Sequence, residues 1–166
     1  KLAVIPARSG SKRIKGKNFR DFCGKPMIEW AILAAKTSNL FDKIIVSTDS
    51  KRIKKIAAKC GAEVPFFRPA KLSDDFTGTL PVIAHAVEWM EKKFEFISEV
   101  CCIYPTAPFV EPEDLKKGFR LLVNNREKFV YSIASYAHPI QRAFKFKKDG
   151  SLKMLNSELS TVSLKI

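Results

Sequence analysis

With 166 residues, 46% of them hydrophobic, the chain has apolar material for one compact core and too little for two ordinary ones. No apolar run approaches the roughly 20 residues of a membrane span, and the N-terminal Lys-Leu-Ala-Val-Ile-Pro lacks a signal peptide's long apolar stretch, which predicts a cytoplasmic protein with no membrane partner. Thirty Lys and Arg against 17 Asp and Glu give a net charge of +13 that suits an anionic partner, but the cations are dispersed without a recognition-helix or RNP pattern, so nucleic acid is not the expected one.

In chain order, the apolar run 2–5 reads as a buried strand ending at Pro6. Residues 7–18 form a loop, and helical spacing over 26–37 follows, with Pro26 where a helix start tolerates a missing N–H. A second strand is predicted over 43–47, and a helix over 50–60 is capped by Ser50 and stopped by Gly61. A short strand over 63–67 and a loop lead to a helix over 79–93, on which His85 has apolar neighbours and a structural role. A strand over 100–104, a helix over 111–125 and a strand over 129–133 complete the alternation, and a hairpin is expected after Phe144, turning at Asp149-Gly150. Cys23, Cys60, Cys101 and Cys102 make no CxxC pair and read as reduced, partly buried thiols.

This order predicts an α/β fold, a doubly wound and mainly parallel sheet with helices on both faces. Residues 1–155 form the domain and 156–166 an irregular tail. Ligands of such sheets bind beyond the carboxyl ends of the strands, where strand order reverses. The loops after Ile5, Val46, Phe67 and Tyr104 are therefore where a site is sought.

The first of these, Pro-Ala-Arg-Ser-Gly-Ser-Lys-Arg-Ile-Lys-Gly-Lys-Asn over 6–18, holds two glycines, two serines and the cations Arg8, Lys12, Arg13, Lys15 and Lys17. Glycines let backbone N–H groups approach phosphate oxygens, and Arg and Lys offset charge that builds on a phosphate as its leaving group departs. It is not a Walker loop, because Gly-Lys-Ser/Thr and an immediate helix are missing. Asp49 could be read as a Mg²⁺ ligand or a ribose contact, but it is most simply a strand-end residue before a capped helix and stays outside the catalytic set.

Together with Gly-Lys-Pro-Met-Ile at 24–28, Val-Ser-Thr-Asp at 46–49, Arg-Pro-Ala-Lys-Leu-Ser-Asp-Asp at 68–75 and Tyr-Pro-Thr-Ala-Pro at 104–108, this loop resembles the CMP-sialic acid synthetases (acylneuraminate cytidylyltransferases). The resemblance implies a Rossmann-like nucleotide-diphospho-sugar transferase fold. The implied reaction joins CMP from CTP to a nine-carbon nonulosonic acid with release of pyrophosphate, using Mg²⁺. It places Arg8, Lys12 and Lys17 in the catalytic set, and Arg8, Ser9, Gly10, Ser11, Lys12, Lys17, Asn18, Arg68, Thr77, Thr79 and Tyr104 around the nucleotide. The family usually has Gln where Tyr104 stands, and the plainer role of Thr77 and Thr79 is helix capping.

His-Pro-Ile-Gln-Arg-Ala at 138–143 is most like the pseudaminic acid branch and makes Gln141 and Arg142 candidate sugar ligands. The alternatives are an N-acetylneuraminate or Kdo cytidylyltransferase and, from another class, a basic nucleic-acid-binding module. The family's Asp-x-Asp metal pair and its C-terminal dimerisation segment have no counterpart here. The metal ligands therefore stay unassigned, a truncated chain with weak turnover is expected, and the family's homodimer is uncertain for it.

Overall fold

A computed structural model of the chain describes residues 1–93, 96–126, 128–135 and 143–155. The chain divides into two compact units, Lys1–Val130 and Tyr131–Ile166. His138, Gln141, Arg142 and the tail over 156–166 lie outside the described residues.

The first unit is built on three parallel strands, β1 (Leu2–Pro6), β4 (Lys43–Ser47) and β5 (Val100–Cys102), in the order β4-β1-β5. β1 runs beside β4 from Leu2 opposite Lys43 to Pro6 opposite Ser47, and beside β5 from Leu2 opposite Val100 to Val4 opposite Cys102. Period-two alternation sorts β1 between two cores. Ala3, Ile5 and Ala7 face one with α1 (Met27–Ser38) and α2 (Lys51–Lys59), onto which Leu115 of α4 (Pro112–Asn124) packs. Leu2 and Val4 face the other, with Ala86 and Met90 of α3 (Thr79–Glu91). The sheet thus carries helices on both faces, as predicted.

Local signals set the helix ends. The Ser50 hydroxyl accepts the Ile53 N–H at 3.3 Å, and the Glu111 N–H is held by Asp114 at 3.2 Å, so the helices at 51 and 112 start where expected. α1 ends on Asn39 in the left-handed region, φ 54°. Before α1 lies a small hairpin absent from the sequence reading, β2 (Asp21–Phe22) against β3 (Lys25–Pro26). Its turn residues Cys23 and Gly24 have φ of 53° and 80°, the positive pair that a tight two-residue hairpin needs. The Trp30 indole N–H holds the hairpin to α1 through the Phe22 carbonyl at 2.9 Å.

Two predicted strands differ. Residues 63–67 make only isolated parallel bridges, Glu63 beside Ile45 and Phe67 beside Thr48, because Pro65 between them has no N–H to continue a ladder. Residues 129–133 form no strand. Phe129, Tyr131 and Ile133 are exposed, and an apolar run becomes a strand only where neighbouring backbone pairs with it.

In the second unit, β6 (Phe144–Phe146) and β7 (Leu152–Met154) form the expected hairpin. Asp149 accepts the Ser151 N–H at 2.9 Å in its turn.

Candidate functional site

From β1 the chain steps outward through α1 to β4 and through α2 to residue 63, then returns by α3 to β5 on the other side of β1. Strand order therefore reverses between β1 and β5, and an open cleft lies at the carboxyl ends there. Its lining comes from the loop after β1 (Arg8, Ser11, Lys17, Asn18), the segment entering α3 (Arg68, Asp74, Asp75, Thr77, Thr79) and the loop after β5 (Tyr104, Pro105, Thr106).

Of the eleven residues singled out for the nucleotide, Arg8, Ser11, Lys17, Asn18, Arg68, Thr77, Thr79 and Tyr104 come together in this lining. Ser9, Gly10 and Lys12 do not line it. Ser9 is turned toward Asp49, donating from its backbone N–H and its hydroxyl to the two carboxylate oxygens, each at 2.7 Å. Gly10 has open space where a side chain would stand. Lys12 sits at the rim, mostly exposed, in an ion pair with Asp75.

The loop's far end is fixed from behind. The buried Asn18 donates its amide to the Arg8 carbonyl at 2.8 Å, closing the loop on itself. Gly16 starts a 3₁₀ turn, Lys17–Phe19, at φ 67°, and a Cβ there would stand 2.6 Å from the Phe19 ring. The Arg52 guanidinium carbon of α2 lies over the Phe19 ring, 4.1 Å from its centroid, a cation–π contact that ties the turn to the helix.

Arg68 is the buried cation of the site, 6% exposed. Its Nη2 donates to the Ser47 carbonyl at 3.2 Å, whereas its Nε and the Ser47 hydroxyl have no hydrogen-bond partner. Burial pushes the guanidinium below its ordinary pKa, the Asp49 carboxylate opposes that, and Arg8 adds to it. Asp49 therefore does more than end a strand: it pins Ser9 and sustains the Arg68 charge.

The segment entering α3 is organised by two aspartates. Asp74 accepts the N–H groups of Thr77 at 2.6 Å and Phe76 at 2.9 Å, and these bonds hold its carboxyl below the usual range. Arg8 Nη1 donates to the Asp74 carbonyl and to Asp75 Oδ1, both at 2.7 Å. Neither threonine hydroxyl caps α3. That of Thr77 donates to the Lys71 carbonyl at 3.2 Å, and Thr79 shares a 2.8 Å hydrogen bond with the Tyr104 hydroxyl. The sequence thus sets Asp49 aside and misses Asp75 as a site residue. The Asp-Asp pair in the 68–75 motif was the available signal for the second.

A cleft at a switch point, with Arg8, Lys17 and Arg68 in its lining and Lys12 at its rim, can bind an extended polyanion beside a neutral group seated near Thr79 and Tyr104. The cytidylyltransferase family model matches residues 2–157. The chain belongs to that family. It is 38% identical over 157 residues to the pseudaminic acid cytidylyltransferase of Campylobacter jejuni, covering 95% of this chain and 68% of that one. It is 41% identical over 120 residues to the CMP-N,N'-diacetyllegionaminic acid synthase of Legionella pneumophila, covering 72% and 52%. Among solved structures, a CMP:2-keto-3-deoxy-manno-octonic acid synthetase complexed with CTP superposes with a TM-score of 0.59 at 26% identity, over 75% of this chain and 48% of that one. This member of the cytidylyltransferase family thus spans about two thirds of the Campylobacter relative and about half of that solved structure.

Proposed function

We propose that the cleft binds CTP and serves transfer of CMP to a nonulosonic acid, pseudaminic acid being favoured, with release of pyrophosphate. The observation that carries this reading is the convergence of Arg8, Lys17 and Arg68 on one cleft at the strand-order switch. The names of the relatives supply the cytidylyl group and the sugar class.

In the reaction, the anomeric hydroxyl oxygen forms a bond to the α-phosphorus, the bond from that phosphorus to the bridging oxygen breaks, and pyrophosphate leaves with the electron pair. The hydroxyl proton passes to solvent. Such a transfer asks the protein for positioning and charge neutralisation rather than for a nucleophile. Arg8, Lys12 and Lys17 are the groups placed to offset charge on the phosphates. Arg68, with one buried N–H unpaired, and the Thr79–Tyr104 pair are placed for the nucleoside. Gln141 and Arg142 remain the proposed ligands of the sugar acid.

Mg²⁺ is part of the same proposal, but the described residues do not fit a protein-held ion. They group no three His, Cys, Asp or Glu side chains, and Asp49 and Asp75 are already engaged by Ser9 and by Arg8 with Lys12. The roles above are therefore those of side chains alone. No described helix is long and apolar enough to cross a membrane. A cytoplasmic location is part of the proposal, and a homodimer is proposed for the full-length family rather than for this chain.

Calorimetric titration with CTP, UTP and ATP, repeated with Arg8→Ala, tests it. Selective CTP binding that falls in the variant supports the reading, and equal affinity for the three nucleotides overturns it.

A further inference from the structure

The carboxylate of Asp75 is the anion that the cleft's own cations grip. Oδ1 receives Arg8 Nη1 at 2.7 Å, and Oδ2 is paired with Lys12. The contact spans 67 residues of sequence, joining the loop after β1 to the segment that enters α3. Asp75 is not a loose surface acid. The preceding Asp74 accepts the N–H groups of Phe76 and Thr77, so the backbone folds back and projects the Asp75 side chain, while Arg8 holds the Asp74 carbonyl at 2.7 Å. A planar carboxylate with one oxygen on each of two cations makes the charge-assisted contacts that two oxygens of a phosphate would make.

We infer that Asp75 is a specificity-determining residue of this site: its carboxylate competes with phosphate for Arg8 and Lys12, and so sets the shortest phosphate chain the cleft accepts. The inference rests on the proposal that the cleft binds the phosphates of a nucleotide. A single phosphate seated on Arg8 and Lys12 exchanges one anion for another and gains little. A pyrophosphate or triphosphate can add a contact with Lys17, which lines the same cleft and for which no acidic partner stands among the described residues. When pyrophosphate departs, the carboxylate returns to the two cations, which lowers the cost of release by replacing lost contacts as they break.

The test uses inorganic pyrophosphate and inorganic phosphate, titrated calorimetrically in EDTA at low salt into the native protein, Asp75→Asn and Asp75→Glu. Asp75→Asn removes the competing charge at nearly constant shape. Its affinity for pyrophosphate is expected to rise roughly tenfold, the scale of two partly exposed ion-pair contacts. Its affinity for phosphate is expected to rise by a similar factor, because either anion displaces the same carboxylate, and that rise brings the weaker binding of a single phosphate up toward the native affinity for the longer chain. Asp75→Glu keeps the charge and is expected to stay close to the native affinities. Should Asp75→Asn fail to fold, judged by its melting transition, Asp75→Ser makes the same neutralisation with a smaller side chain. Unchanged or weakened binding of both anions in folded neutral variants, with the native protein binding pyrophosphate, overturns the inference and leaves the phosphate site standing. If neither the native protein nor the variants bind pyrophosphate, the phosphate site itself fails and the inference with it.

Discussion

Replacing Asp49 by alanine isolates the part of the site that no single stretch of sequence displays. The Asp49 carboxylate accepts two hydrogen bonds from Ser9, each at 2.7 Å, and these are side-chain contacts that tie the loop after β1 to the residue beyond β4. Hydrogen bonds to a charged group contribute about 1.5–3 kcal/mol when well buried. This pair sits at an exposed rim and shares one acceptor, so about 1–2 kcal/mol for both together is the reasonable scale. If that free energy holds the loop in its binding arrangement, losing it lowers the competent fraction and weakens CTP affinity by about 5- to 30-fold. Asp49→Asn keeps one acceptor oxygen and is expected to recover roughly half of the loss on a logarithmic scale. Calorimetry with CTP reads the affinity, and a melting curve separates loop loosening from global unfolding. CTP binding by Asp49→Ala within twofold of native would refute the reasoning. If Asp49→Asn is as weak as Asp49→Ala, the carboxylate acts through its charge near Arg68 rather than through the Ser9 bonds.

Three further outcomes are expected. Gly16→Ala places a Cβ at φ 67° and 2.6 Å from the Phe19 ring, so stability in urea is expected to fall by about 1–2 kcal/mol; an unchanged midpoint would mean that the turn at Lys17 is not held as described. Burial pushes the Cys101 thiol up to about 11, so at pH 8 only about one molecule in a thousand carries the thiolate. Alkylation followed by peptide mass mapping is expected to label the exposed Cys23 well before Cys101, with Cys101 labelling accelerating as pH rises toward 11. Asp74 is held below its ordinary value of 3.8 by the Thr77 and Phe76 N–H groups, so its contribution is complete above that value and is lost as pH falls through the lower folded one. Hydrogen exchange at Phe76 and Thr77 is expected to show protection at pH 5 that declines only below pH 3.8, and equal protection at pH 2 would contradict that assignment.

Much of the fold was legible because its signals are local. An apolar run bounded by a proline marks β1, and Ser50 with the helix after it is a capped start readable over four residues. The cationic loop after β1 was legible for the same reason, since Arg8, Lys17 and Asn18 stand within eleven residues of one another. The hairpin before α1 escaped because two-residue strands carry no periodicity, and only the positive φ pair at Cys23 and Gly24 defines it. The run 129–133 misled because hydrophobicity reports a wish for burial and not the presence of a pairing neighbour. The roles of Asp49 and Asp75 were unreadable because their partners lie 40 and 67 residues away, a distance that topology closes and pattern does not.

The face of β1 that packs toward α1 forms a seam in which Ala3 and Ala7 share one buried cluster with Ile5 and with Ile28, Ala31, Ile32 and Ala35 of α1, all at or near zero exposure. The alanines are closed off on every side within that cluster, so a methyl added to one of them has nowhere to go except into a displacement of its neighbours. Ala7 immediately precedes Arg8, and its N–H is bonded to the Ser47 carbonyl at 2.9 Å, which makes β1 a stiff rod ending in the guanidinium. In a laboratory-evolution campaign, changes along this seam would therefore surface as catalytic phenotypes even though they lie outside the cleft. A library intended to retune substrate choice would do better to leave the seam wild type and spend its diversity on the loops.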